Sequence, residues 1–273
     1  MEPALQRRIQ RYGWDKAAGF YESFWQKQLY PAQQKLLEFA DIKGGERIID
    51  IACGTGLVSF PAARLAGDNG FVLANDISEK MVETGNAIVT EGNLSNISFQ
   101  RMDAEDLDVE DASFNIALCA LGFMYFPDPL KAFKEMYRTL KPGGHAVVAV
   151  WGRRKNCGWA EVFEIVDRRV ATEVCPMFFN LGNEGTLRQY MDAAGFRDIK
   201  EERLNTKLDY ESGDDACGAA FLGGPVALAY NKFSDDVKLE VQNEYLESIE
   251  TFRNGNDYQV PGEFVVAVGA KNK

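Results

Sequence analysis

The segment Asp50-Ile51-Ala52-Cys53-Gly54-Thr55-Gly56, with Asp76 twenty residues beyond Gly56, is where this chain gathers residues able to do chemistry. Gly54 and Gly56 lack Cβ atoms at a turn where a ligand must approach the main chain. An acid at 76 closes the next apolar run, the position from which a carboxylate accepts hydrogen bonds from both hydroxyls of a ribose. Together they read as a site for an adenosine-containing cofactor. A dinucleotide fingerprint wants a third glycine at 59, where this chain has Ser59, and does not call for an acid such as Asp50 before the turn. S-adenosylmethionine carries a sulfonium, an ammonium group and no phosphate, so Asp50 suits it. A nicotinamide oxidoreductase is disfavoured on the same residues, and a cofactor-binding protein without turnover stays open.

These residues need strand ends to hold them. Arg47–Ile51 reads as a strand, Ala52–Gly56 as a glycine turn and Leu57–Leu65 as a helix. Further strands are expected at Gly70–Asp76, Ile97–Arg101, Phe114–Leu118 and His145–Trp151, with helices at Glu79–Glu91 and Pro129–Leu140 and a turn at Lys141–Gly144. Alternating strands and helices imply right-handed crossovers and a mostly parallel sheet. The rhythm then breaks. Helices near Trp159–Thr172 and Gly185–Ala194 precede a strand at Arg197–Tyr210, helical pieces over 211–253 and a last strand at Phe264–Val268. We expect one α/β domain over 1–273: a helical cap (1–40), a cofactor-binding core (41–152), a substrate-side insert with strand 6 (153–257) and a closing strand (258–273).

The composition excludes several classes of function. The chain has 273 residues, a formal charge of −11 and 46% hydrophobic residues, which is ample for a core. Its longest nearly apolar stretch, Ile116–Pro127, falls short of the roughly twenty residues of a membrane helix. The N-terminus lacks the apolar block of a secretory signal, so a cytoplasmic protein is expected. Five scattered cysteines without a Cys-x-x-Cys pair suit neither a disulfide framework nor a thiol-rich zinc site. The single histidine, His145, leaves no room for multi-histidine metal centres and is expected to be structural. The negative charge disfavours nucleic acid. It is concentrated in residues 201–250, with twelve acids against four Lys or Arg, which reads as a solvated face. Eight of the 32 aromatic residues fall within the first 40, which suggests a cap over something apolar.

The stretch Arg47–Gly152 resembles class I S-adenosylmethionine-dependent methyltransferases, and is similar to the C-methyltransferases of ubiquinone and menaquinone synthesis and their small-molecule relatives. The likeness rests on IIDIACGTG (48–56), VLANDIS (72–78), MDAEDL (102–107), ALCALGFMYFPDP (117–129) and LKPGGHAVVAVWG (140–152). It implies a Rossmann-like, seven-stranded sheet with helices on both faces and an antiparallel last strand. It also implies cofactor contacts at Asp50, Ala52, Gly54, Thr55 and Gly56, with Asp76 on the ribose and Ile77 and Met81 beside the adenine. Asp103 and Ala104 would read its amino group, and Cys119, Ala120 and Leu121 would line the methionine side. Ala52 departs from the glycine common in the family. The other acids of Asp103–Asp111 are expected in a solvated loop.

Methyl transfer from a sulfonium is an in-line displacement, so the protein's task is alignment and exclusion of water, with S-adenosylhomocysteine as product and no metal. Without histidine at the strand ends, a small-molecule acceptor needing little deprotonation is favoured: activated carbon, amine, thiol or acidic phenol. Acceptor contacts are expected from Tyr21 and Trp25 of the cap, Phe123, Met124 and Tyr125 after the fourth strand, and Trp151, Arg153, Met177, Phe178 and Phe179 after the fifth. Cys157, Cys175 and Cys217 raise a metalloid (arsenic) methyltransferase as an alternative. Nothing in the chain sets an oligomeric state.

Overall fold

Four short apolar strands make the parallel half of the sheet: β1 (Arg47–Ile51), β2 (Phe71–Asp76), β3 (Ile97–Arg101) and β4 (Phe114–Ala120). The structure is a computed structural model, and it describes residues 2–171 and 174–273. β1 pairs in parallel with both β2 and β4, and β2 with β3. Ile48, Ile49, Ile116, Ala117 and Leu118 are fully buried, as expected for strands covered on both faces.

β5 (Leu140–Trp151) continues the parallel set, and the chain then adds β6 (Arg197–Tyr210), a two-residue β7 (Arg253–Asn254) and β8 (Asp257–Ala270). The order is β3-β2-β1-β4-β5-β8-β6, with β8 antiparallel to both neighbours and β7 paired to β8. The order reverses between β1 and β4. That switch point opens a crevice at the carboxyl ends of the strands, where ligands of such sheets bind.

Helices cover the sheet: α1 (Pro3–Ala40), α2 (Ser59–Ala66), α3 (Glu79–Glu91), α4 (Pro129–Thr139), α5 (Glu161–Asp167) and α6 (Thr186–Ala194). Three more, α7 (Gly213–Cys217), α8 (Ala227–Tyr230) and α9 (Asp235–Ile249), lie between β6 and β7. The cap is one helix of 38 residues that continues through Pro31. His145, on β5, meets the carbonyl of Ala40 at 2.9 Å, tying the end of α1 to the sheet.

Three boundaries differ from the sequence expectation. The turn at Lys141–Gly144 is absorbed into β5, where Gly143 has φ +81° and its N–H donates to Lys271 O, while the β4/β5 register slips between Phe114 and Ile116. The closing strand is far longer than Phe264–Val268, because only its second half is sandwiched between β5 and β6 and so reads as apolar. The helix expected at Trp159–Thr172 is the short α5, after which the Asp167 carboxylate accepts the Val174 N–H. Thr172 lies outside the described residues.

Candidate functional site

The turn after β1 is held by an acid from β2. Gly54 has φ +58°, a region open chiefly to glycine, and its N–H donates to Asp76 Oδ2 at 2.9 Å. Asp76 Oδ1 accepts the Ser78 N–H at 2.9 Å as the chain enters α3, and Ser78 Oγ caps that helix at the Met81 N–H. Ala52 occupies the family's glycine position with φ +54°, and Leu121, beyond β4, has φ +62°. Two non-glycine residues in the left-handed region at adjacent strand ends are local strain of the kind stored at functional sites. A Cβ on Gly122 would come within 2.6 Å of the Ala52 Cβ and 2.8 Å of Cys119 Sγ, so the β4 turn can close on the β1 turn only with glycine there.

Around these turns lies a cavity of about 700 Å³, its open mouth included. Ala52, Gly54, Asp76, Ile77 and Met81 form one wall. Asp103 and Ala104 after β3, and Ala120, Leu121 and Tyr125 after β4, form another. Tyr21 closes it from α1. A second, inner cavity of about 320 Å³, its open space included, adjoins it among buried side chains: Trp25 and Leu29 of α1, Trp151 at the end of β5, and Trp159 and Phe178 of the insert. Trp14, Tyr21, Leu121 and Tyr125 line both, so they form the passage between them. Among the described residues, no charged side chain lines the inner cavity.

Several expected residues stand elsewhere. Asp50, Thr55, Gly56 and Cys119 are not on the cavity wall. Asp50 is buried behind the turn and accepts from Ser59 Oγ at 2.5 Å. Gly56 is required by packing, since a Cβ there would fall 2.6 Å from the Phe60 ring and 2.7 Å from Phe99. Cys119 is fully buried, and burial pushes its thiol far up. Phe123 stacks on Phe133 at 3.8 Å in the core, and Met124 is buried beside it. Arg153 turns outward to Glu184 at 2.6 Å, because its backbone N–H is anchored to buried Glu263. Met177 is exposed, and Phe179 packs against Trp159. Glu105 is not solvated: it is buried, pairs with Arg7 and accepts the Asp128 N–H.

The structure also brings in residues the sequence left unassigned. Arg7, Gln10 and Trp14 of α1, Asn75, Met102, Gly122 and the Phe126-Pro127 pair all line the outer cavity. Arg7 Nε lies 2.9 Å from Asp103 Oδ2, and Asp15 accepts from Ser78 Oγ at 2.7 Å, so the start of α1 is fastened to both cofactor-side turns. The signal existed in part. Arg7, Gln10, Trp14 and Tyr21 share one heptad stripe of α1.

The outer cavity suits an adenosine cofactor with a cationic tail. Burial raises the Asp50 carboxyl to about 7, against the Ser59 bond, with the Asp76 charge adding to the rise. Burial likewise raises Asp76 to about 6, against the N–H groups of Ser78, Gly54 and Ile77. Asp50 Oδ1, Thr55 Oγ1 and Asn75 Oδ1 are buried without partners. Such orphaned acceptors cost roughly 1–3 kcal/mol each unless something binds them. Of these only Asn75 lines the cavity, beside the Asp76 and Asp103 carboxylates; a cationic, hydroxyl-rich ligand would supply donors to them and counter-charge to the buried Asp50 behind, so the residues present fit S-adenosylmethionine.

The thiols tell against metalloid chemistry. Cys157 donates to Glu263 O at 3.9 Å, Cys175 accepts from Gln10 at 3.5 Å, and Cys217 ends α7. Burial pushes each up to about 12. Among the described residues no group of three or more His, Cys, Asp or Glu is placed to hold a metal ion.

A Rossmann-like sheet with a reversed last strand, glycine and acid at the switch point, and a helical cap define the class I methyltransferase fold. The family model described as the ubiE/COQ5 methyltransferase family matches residues 21–184, and the chain belongs to that family. A demethylmenaquinone methyltransferase of Listeria monocytogenes serotype 4a is 31% identical over 138 residues, covering 50% of this chain and 58% of that one. The chain thus spans about half the length of the curated relatives it matches. Among solved structures, a phosphoethanolamine N-methyltransferase 2 of Haemonchus contortus with S-adenosylhomocysteine has a TM-score of 0.63 at 17% identity, covering 95% of this chain and 58% of that chain. The [4+2]-cyclase SpnF is also similar in fold, with a TM-score of 0.57 at 18% identity over 89% of this chain and 82% of that one.

Proposed function

We propose that this protein transfers a methyl group from S-adenosylmethionine to a small, uncharged, electron-rich ring seated in the inner aromatic cavity, a quinone-type acceptor in its reduced, nucleophilic form. The observation that carries this is the passage: Trp14, Tyr21, Leu121 and Tyr125 line both the acid-bearing outer cavity and the charge-free inner one. When bound, the cofactor supplies an electrophilic methyl group on a sulfonium. Asp76 would hold the ribose, Ile77 and Met81 the adenine faces, and Asp103 with Ala104 its edge. Asp50, behind the turn, supplies negative potential toward the cationic tail.

The acceptor side does the rest by exclusion and alignment. Burial and the charges of Asp76, Glu22 and Asp50 push the Tyr21 phenol far up, and burial does the same to Tyr125, so both stay protonated and neither is a base near neutral pH. A cationic amine would find no counter-charge among the described residues of the inner cavity, and its desolvation would be costly. An electron-rich carbon, or a hydroxyl already acidic, needs no counter-charge: its bond to the methyl carbon forms as the C–S bond breaks, S-adenosylhomocysteine leaves as the neutral thioether, and the ring proton, or the proton already shed by the acidic hydroxyl, goes to solvent. The name of the Listeria relative supports a quinone-type ring. The parts outside the family match, namely Arg7 to Trp14 and the Gly224-Pro225 wall, leave room for a different ring substituent. The test is release of S-adenosylhomocysteine with a panel of hydroquinones, phenols, thiols and amines. Turnover confined to hydroquinones and acidic phenols supports the proposal, and turnover with amines alone overturns it.

A further inference from the structure

Four indoles line the inner cavity or its passage, and they differ in how their N–H groups are satisfied. Trp25 Nε1 donates to Ala219 O at 3.1 Å, a bond that seats α1 on the segment after α7. Trp159 is 2% exposed, yet its Nε1 is buried with no hydrogen-bond partner. Its ring is fixed from several sides, with Trp151 at 4.8 Å, Phe178 at 5.5 Å and Trp25 at 6.0 Å between centroids. Trp159 also lines the inner cavity, and a buried donor there without an acceptor among the described residues is a standing cost in the free protein, since buried polar groups in folded proteins are nearly always paired.

We propose that Trp159 Nε1–H is a specificity-determining donor that makes the inner cavity favour rings bearing an oxygen, by hydrogen-bonding a hydroxyl or carbonyl of the methyl acceptor. This rests on the reading of that cavity as the acceptor site. Trp159 acts by positioning the ring, since it has no group able to exchange a proton with the reaction. An oxygen anchored at the indole fixes which ring carbon faces the passage to the outer cavity. An unsubstituted hydrocarbon of the same size would fill the aromatic walls equally well and leave the N–H unpaired. The discrimination therefore belongs to one hydrogen bond.

The experiment uses the full chain, uniformly 15N-labelled and saturated with S-adenosylhomocysteine, with 1-naphthol and naphthalene as probes. Four indole N–H resonances are available, from Trp14, Trp25, Trp151 and Trp159. The expected result is that 1-naphthol moves the Trp159 indole resonance downfield and binds about three- to tenfold more tightly than naphthalene, the range of one neutral hydrogen bond. Trp159→Phe, which keeps an aromatic ring and removes the donor, is expected to abolish that preference while leaving S-adenosylhomocysteine binding unchanged. Equal affinity for the two probes in the wild type, or a response at Trp151 in place of Trp159, overturns the proposal even where Trp159→Phe does not fold. Failure to bind S-adenosylhomocysteine at all would instead overturn the reading of the outer cavity on which the proposal rests.

Discussion

The outer and inner cavities are neighbours built by opposite rules. The outer one is made of turns that follow β1, β2, β3 and β4, closed by α1, and its chemistry is polar: the carboxylates of Asp76 and Asp103, the guanidinium of Arg7 and the orphaned Asn75 oxygen. The inner one is made of side chains from α1, the end of β5, the insert and the segment after α7, and its chemistry is aromatic. The first is a place where a charged, hydroxyl-bearing molecule repairs an existing electrostatic deficit. The second is a set of aromatic walls in which the Trp159 N–H is the buried donor left without a partner among the described residues. The family match over 21–184 takes in most of both walls and leaves outside it Arg7, Gln10 and Trp14 of the outer cavity and Trp14, Gly224 and Pro225 of the inner one.

The contrast can be broken by changing one side and reading the other. Phe178→Ala removes a ring that is 2% exposed and packed against Trp159, Phe163 and Tyr125. It is expected to lower stability by about 3–5 kcal/mol in denaturant unfolding, with S-adenosylhomocysteine affinity of the surviving folded protein held within about twofold, as for separated sites. A parallel collapse of cofactor affinity would show that the two cavities are one.

Asp76→Ala acts on the other side. It removes the proposed ribose acceptor and the partner of the Gly54 N–H, and is expected to weaken S-adenosylhomocysteine binding by about tenfold or more in calorimetry, the scale of a lost bond to a charged group. Near-wild-type affinity would remove Asp76 from the site.

A smaller and graded effect comes from pH. With Asp76 raised to about 6 and Asp50 to about 7, both ionise across the interval from about 5 to 8. Cofactor affinity is expected to rise with pH through that interval as the carboxylates form. The stability of the free protein runs the other way. Groups whose folded pKa is raised contribute most below their unfolded value, near 4, and lose that contribution as pH rises through the folded values. Asp50→Asn is expected to flatten the upper part of both curves, and unaltered curves would assign the titration to other groups.

The smallest effect sharpens the turn itself. Ala52→Gly relieves a left-handed residue and is expected to change stability by no more than about 1 kcal/mol, with cofactor affinity unchanged. A large loss would mean that the Ala52 methyl group, against Gly122, is a required part of the wall.

The same difference explains what could be read from the chain. β1, α3, β3 and β6 fall where the hydrophobic pattern puts them, since each is a local run with its own stop signal. Asp76 and Gly54 were legible because the strand, the turn and the acid sit within thirty residues and their roles depend on backbone geometry. Phe123 was misplaced because a loop aromatic beside a cofactor motif does not reveal which way it turns, and here stacking on Phe133 draws it inward. Arg153 was misplaced because buried Glu263, 110 residues away, anchors its backbone. Trp159 carried no signal at all. Its significance arises only when β5, α1 and the insert meet and leave one N–H without a partner.

The central claim is that the strand-end cavity is built for S-adenosylmethionine and not for a dinucleotide. Calorimetric titration of the wild-type protein with S-adenosylhomocysteine and, separately, with NADH tests it most directly. The account predicts saturable one-to-one binding of S-adenosylhomocysteine and no heat of binding for NADH, and binding of NADH without binding of S-adenosylhomocysteine would contradict it.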